Sequence, residues 1–107
     1  MEKILTIEGR EVRFKSTAAL PLIYNEQFGR DLFNDINNLS GKKVDSQLLY
    51  SLVWAMAKCA DPSIPPFMDW FEAFEAFPIF PTFAELSGMA LATFKGTVKN
   101  PVAAVEP

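Results

Sequence analysis

A chain of 107 residues can bury one core but not two. Half of its residues are apolar and 21% are charged, the balance of a folded soluble domain rather than a disordered one. Ten basic residues against thirteen acidic ones leave a net charge of −3, which argues against a polyanion binder, and the absence of histidine removes the usual neutral-pH general base and the commonest metal ligand. The single cysteine, Cys59, excludes an internal disulfide and a Cys-rich zinc site. Binding or assembly is therefore the better starting point than catalysis, and no cofactor is expected. Residues Met1-Glu2-Lys3-Ile4-Leu5-Thr6 lack the apolar run of a secretory signal. The most apolar stretch, Leu48 to Ala57, is about ten residues against the roughly twenty of a membrane span, so a cytosolic chain with Cys59 as a buried thiol is expected.

The first segment alternates. Leu5, Ile7, Val12 and Phe14 share one face if Glu8-Gly9 is a two-residue turn, which sets Leu5 opposite Val12 and Ile7 opposite Arg10; Thr6, Glu11, Arg13 and Lys15 fall on the other face. A lone hairpin is marginal, so this one must rest on helices. From Ser16 the period changes: Leu20, Ile23, Tyr24 and Phe28 recur at helical spacing, with Ser16 or Thr17 as a cap and Gly29 as a stop or kink. Pro21 fits only the first turn of such a helix. Leu32, Phe33, Ile36 and Leu39 form a second short stripe ending at Gly41, followed by a linker through Val44.

Asp45 or Ser46 opens a third helix. Leu48, Leu49, Leu52, Val53 and Met56 give it a wide apolar face that Trp54 and Ala55 extend almost all round, the pattern of a central helix ended by Asp61-Pro62. After the stiff connector Ser63-Ile64-Pro65-Pro66, the residues Phe67, Trp70, Phe71, Phe74 and Phe77 make an aromatic stripe on a fourth helix, with Asp69, Glu72 and Glu75 outside and Pro78 as the stop. Thr82 with Glu85 three residues on reads as a capping box for the last helix, whose stripe is Phe83, Leu86, Ala90 and Phe94 and whose end is Gly96. The fold class expected is α+β, mainly α-helical: an N-terminal β-hairpin followed by about five helices packed as one small domain over residues 1–96, with 97–107 as a flexible tail.

Few residues suggest chemistry. Asp69, Glu72 and Glu75 at i, i+3 and i+6 resemble a loose divalent-metal face, but with no histidine or facing acids a solvated acidic face is the expected reading and no metal is assigned. Cys59 has no histidine to activate it, and Lys58 is about 100° away around the helix, so a structural thiol is expected. Ser40-Gly41-Lys42-Lys43 lacks the spacing of a phosphate loop. Arg10, Arg13 and Lys15 are interleaved with Glu8 and Glu11, a mixed strand rather than a nucleic-acid patch. The aromatic segment is more informative. Core packing absorbs Phe67, Trp70, Phe71 and Phe74 more easily than Phe77 and Phe80, because Pro78 and Pro81 are expected to break the helix there. Phe77 and Phe80, beside Asp69, Glu72 and Glu75, are therefore the candidate partner-binding residues.

The order of these features resembles a known family. Phe14-Lys15-Ser16-Thr17-Ala18-Ala19-Leu20-Pro21, then Tyr24, then Phe28-Gly29-Arg30-Asp31-Leu32, is similar to the N-terminal half of tail assembly chaperones of long-tailed phages and prophages of Gram-positive bacteria. Leu49-Tyr50, Ala55-Met56-Ala57-Lys58, Ala60-Asp61-Pro62-Ser63-Ile64-Pro65 and Asp69-Trp70 with Phe74 and Phe77 extend the resemblance to about Lys95. It rests on an ordered succession of helices and turns, not on a catalytic signature. The resemblance implies a non-enzymatic protein of the host cytoplasm that binds the tape measure protein, helps tail tube protein assemble around it, and is not expected in the mature virion. In such phages a frameshift often yields a longer product. Self-association is left open, and no nucleic acid or membrane partner is expected. A structural tail component or small adaptor is the alternative, and a nucleic-acid-binding regulator a more distant one.

Overall fold

The computed structural model describes residues 1–39 and 45–94. An antiparallel hairpin, β1 (Glu2–Ile7) and β2 (Arg10–Lys15), is followed by five helices: α1 (Leu20–Phe28), α2 (Leu32–Leu39), α3 (Ser46–Ala60), α4 (Phe67–Glu72) and α5 (Ile79–Thr93). The register pairs Leu5 with Val12 and Ile7 with Arg10, as the alternation requires. Glu8 and Gly9 both take positive φ, 54° and 76°, the two left-handed positions of a tight hairpin turn whose twist matches the strands. The hairpin does not stand alone: β2 lies on α3 and β1 borders α5.

Helix α3 is the centre. It packs against β2, α1, α4 and α5, and every residue from Ser51 to Ala57 is buried. Its start is fixed by Asp45, whose carboxylate accepts from the Gln47 N–H at 3.0 Å. Leu20, Tyr24 and Leu32 from α1 and α2, Phe14 from β2 and Leu86 from α5 are fully buried with it. Each such side chain is worth about 1.5–3 kcal/mol on leaving water.

Several boundaries differ from those the sequence suggests, each for a local reason. Helix α1 begins only at Leu20; the Thr17 hydroxyl accepts from the Ala19 N–H in the preceding turn, and neither it nor Ser16 caps the helix. Gly29 does stop it, at φ 67°, with its N–H on the Asn25 carbonyl. Helix α4 ends at Glu72 and does not reach Phe77. Helix α5 starts at Ile79, so Pro81 lies in its first turn, where no N–H partner is needed, and breaks nothing. Thr82 is consequently a buried residue inside the helix and forms no capping box with Glu85. The expected stops Gly41 and Gly96, the linker through Val44 and the tail 97–107 lie outside the described residues.

Candidate partner surface

The aromatic residues form a chain of ring contacts that runs from α1 to the start of α5. Phe28 meets Trp54 and Phe67, Phe67 meets Trp54 and Phe71, and Phe71 meets Tyr50, Trp70 and Phe77, at centroid separations of 4.9 to 6.1 Å and edge-to-face. The Trp54 indole N–H donates to the Pro65 carbonyl at 3.2 Å, tying α3 to the proline connector. The tip of the hairpin closes on the far end of this chain. Arg10 stacks 4.3 Å from the Phe74 centroid and donates to the Ala73 carbonyl at 2.8 Å. The Glu8 carboxylate accepts from the Ala76 and Glu75 N–H groups at 2.7 and 3.0 Å, and these backbone bonds hold its carboxyl below the usual range. After α4 the Ala73 and Phe74 amides close tight turns onto Trp70 and Phe71, and the next two amides are taken by the hairpin carboxylate, so the chain leaves the helical path.

The five residues expected to meet a partner have different settings. Phe77 is half-buried and packs on Trp70, Phe71 and Phe74 at 5.7, 5.1 and 5.1 Å. Phe80 stands out at 65% exposure. Asp69 and Glu72 are exposed on α4, while Glu75 follows the helix end and so is not on the same helical face. Their side chains make no ion pair or hydrogen bond among the described residues, and no three of Cys, Asp and Glu there stand close enough to hold a metal ion.

A surface that the periodicity had not singled out lies on α5. Ile79, Thr82, Leu86 and Ala90 face the core. The opposite side presents Phe80, Pro81, Ala84, Gly88, Leu91 and Ala92, all exposed, with Phe80 at 65% and Leu91 at 52%. No charge interrupts it. The only ionisable residue of the helix, Glu85, lies toward β1 and pairs with Lys3 at 3.1 Å. Gly88 has open space where a Cβ would be. A surface helix normally carries charge on its solvent side, and this fifteen-residue helix departs from that pattern. The signal was in the sequence: one charge between Ile79 and Thr93.

The remaining polar clusters stabilise the fold. The Tyr24 hydroxyl donates to Asp35 at 2.6 Å; Arg30 donates to Asp35 at 2.9 Å, to the Tyr24 hydroxyl at 3.0 Å and to the Ser51 hydroxyl at 3.1 Å. Burial, then the Asp35 carboxylate, pushes the Tyr24 hydroxyl up to about 12. Asp31 accepts from the Asn34 N–H and starts α2. The Tyr24 and Arg30 segment of the family-like pattern is thus a lock between α1, α2 and α3. Cys59 is half-buried rather than buried; it lines a groove of about 460 Å³ with Ile23, Glu26, Gln27, Lys58 and the edge of Trp54. Its one hydrogen-bond partner among the described residues is the Thr17 hydroxyl at 3.5 Å, which cannot activate a thiol. No described helix is long and apolar enough to cross a membrane.

No protein-family model, curated protein or solved structure matches the chain.

Proposed function

We propose that this chain is a non-enzymatic assembly chaperone of a long-tailed phage or prophage. It binds helical, apolar segments of the tape measure protein in the host cytoplasm while tail tube subunits assemble around that protein, and it leaves before the virion is complete. The observation that carries this reading is the uncharged outer side of α5, from Phe80 to Leu91, on an otherwise acidic molecule. Such a surface suits an amphipathic client helix, which lays its apolar side against a matching one, while the net charge of −3 keeps the client-free protein dispersed. The ordered residue pattern described above supports the tape measure protein as that client.

The test is a pull-down and titration with a soluble fragment of the tape measure protein from the same genome, together with a search for the chain in purified virions. Binding by the wild type, with the chain absent from virions, supports the chaperone. Presence in virions at stoichiometric level would make the chain a structural tail component instead, and no binding at all would remove the client assignment.

A further inference from the structure

The outer edge of β1 is an unfilled pairing site. Met1 and Ser16 exchange backbone hydrogen bonds in both directions, at 2.8 and 3.1 Å. Because bonded and non-bonded pairs alternate along an antiparallel ladder, the Lys3–Phe14, Leu5–Val12 and Ile7–Arg10 pairs are also bonded ones. The N–H and C=O groups of Glu2, Ile4 and Thr6 therefore point away from β2. Outside the ladder, no backbone bond among the described residues takes them up. All three residues are exposed, and Ile4, at 54%, is the only large apolar residue on a sheet face otherwise made of Glu2, Thr6, Glu11, Arg13 and Lys15. Strand edges are normally guarded by charge, and an open edge with isoleucine at its middle departs from that rule.

We infer that this edge pairs with β1 of a second copy of the chain, antiparallel and centred on Ile4. In that register Ile4 lies opposite Ile4 of the partner subunit and Glu2 opposite Thr6 of the partner subunit, so the outward backbone groups of all three residues are satisfied and no like charges meet. The Lys3 ammonium, on the other face, is already neutralised by Glu85 at 3.1 Å. The edge of β2 does not offer the same match. Antiparallel self-pairing there about Arg13 would set one guanidinium against another, and Arg13 is already held by Glu2 at 2.9 Å and by the Ala60 carbonyl at 3.4 Å. The β1 pairing is isologous and therefore closes as a two-fold dimer with a four-stranded sheet. A two-stranded sheet is marginal by itself, and doubling it stabilises the element that holds Glu8 and Arg10 against α4.

The test needs no client, so its outcome is independent of the chaperone reading. Molecular mass is followed by sedimentation or light scattering across roughly 1 µM to 1 mM, a range suited to a small interface. Hydrogen exchange is measured at both ends of that range. The expected result is a mass rising toward twice that of the chain. The amides of Ile4 and Thr6 should slow tenfold or more at high concentration, while those of Leu5 and Ile7 change little. Ile4→Lys places like charges at the centre, and Thr6→Pro removes one outward donor without touching the ladder; both should remain monomeric with wild-type circular dichroism. Phe80→Ala should still dimerise. A monomer throughout the range, an Ile4→Lys variant that is folded and still dimeric, or Ile4 and Thr6 amides whose exchange ignores concentration would each overturn the proposal. Should both strand variants misfold, the wild-type exchange measurement alone decides.

Discussion

Helices α3 and α5 are close in sequence character and opposite in setting. Each has fifteen residues and one charged side chain, Lys58 in the first and Glu85 in the second. Around α3 the fold supplies a strand and three helices, and the apolar circumference disappears into the core. Around α5 it supplies α3 on one side and β1 along one edge, and Phe80, Ala84, Gly88, Leu91 and Ala92 are left exposed among the described residues. A helix that is apolar all round is normally buried all round. The contrast is what makes the outer side of α5 the surface proposed above for a partner.

The contrast is broken most severely by substitution at matched leucines. Leu52→Ala on α3 leaves a cavity at the centre and should cost about 2–5 kcal/mol in denaturant unfolding. Leu91→Ala on α5 should stay within about 0.5 kcal/mol of the wild type, as exposed substitutions do. If both cost the same, α5 is not half open, or α3 is not central.

The next effect sharpens the comparison on the binding side. Phe80→Ala should weaken binding of a tape measure fragment by roughly thirtyfold, the loss of about 2 kcal/mol typical of an aromatic anchor, with little change in melting. Phe77→Ala should instead lower stability, since Phe77 contributes to packing on Trp70, Phe71 and Phe74.

A third effect concerns the lock that holds α1 and α2 onto α3. Removing Arg30 by Arg30→Met takes the buried Ser51 hydroxyl's donor away and leaves Asp35 with the Tyr24 hydroxyl alone, and should cost about 1–3 kcal/mol. Tyr24 also makes a pH prediction. Its hydroxyl ionises at about 12 in the fold against 10.0 ordinarily, so the folded state holds the proton more tightly. The resulting stability is complete below pH 10 and is lost as pH rises through 12. Alkaline unfolding followed between those values should lose this component in Tyr24→Phe. The smallest effect belongs to the acidic side: Glu72→Gln, exposed and without an ion pair among the described residues, should change stability by less than about 0.5 kcal/mol.

Much of this architecture is legible in the residues. The hairpin follows from period-two alternation and a turn able to take two positive φ values at Glu8-Gly9. The start of α3 follows from Asp45 and the end of α1 from Gly29, because both signals act within a few residues. What was not legible depends on contacts across long stretches of chain. Beyond the end of α4 at Glu72, Glu8 and Arg10, more than sixty residues earlier, hold the Glu75 and Ala76 amides, the Ala73 carbonyl and the Phe74 ring. The lock of Tyr24, Arg30 and Asp35 needs Ser51 on another helix. The start of α5 was misplaced because two prolines read as breakers, whereas Pro78 flanks the helix as its cap and Pro81 is tolerated in the first turn. The same shift limits what the residues reveal of the candidate surface: a helix begun at Thr82 excludes Phe80, whereas one begun at Ile79 makes it continuous with Ala84, Gly88 and Leu91.

The most direct measurement places a charge in the middle of the outer side of α5 and reads client binding. Ala84→Glu is exposed on a surface helix and should fold with near wild-type circular dichroism and melting. Titrated by calorimetry with a soluble tape measure fragment, it should lose at least tenfold in affinity relative to the wild type, since an unpaired carboxylate would be buried against an apolar helix. A well-folded Ala84→Glu variant that binds with wild-type affinity would contradict the account and place the client elsewhere on the molecule.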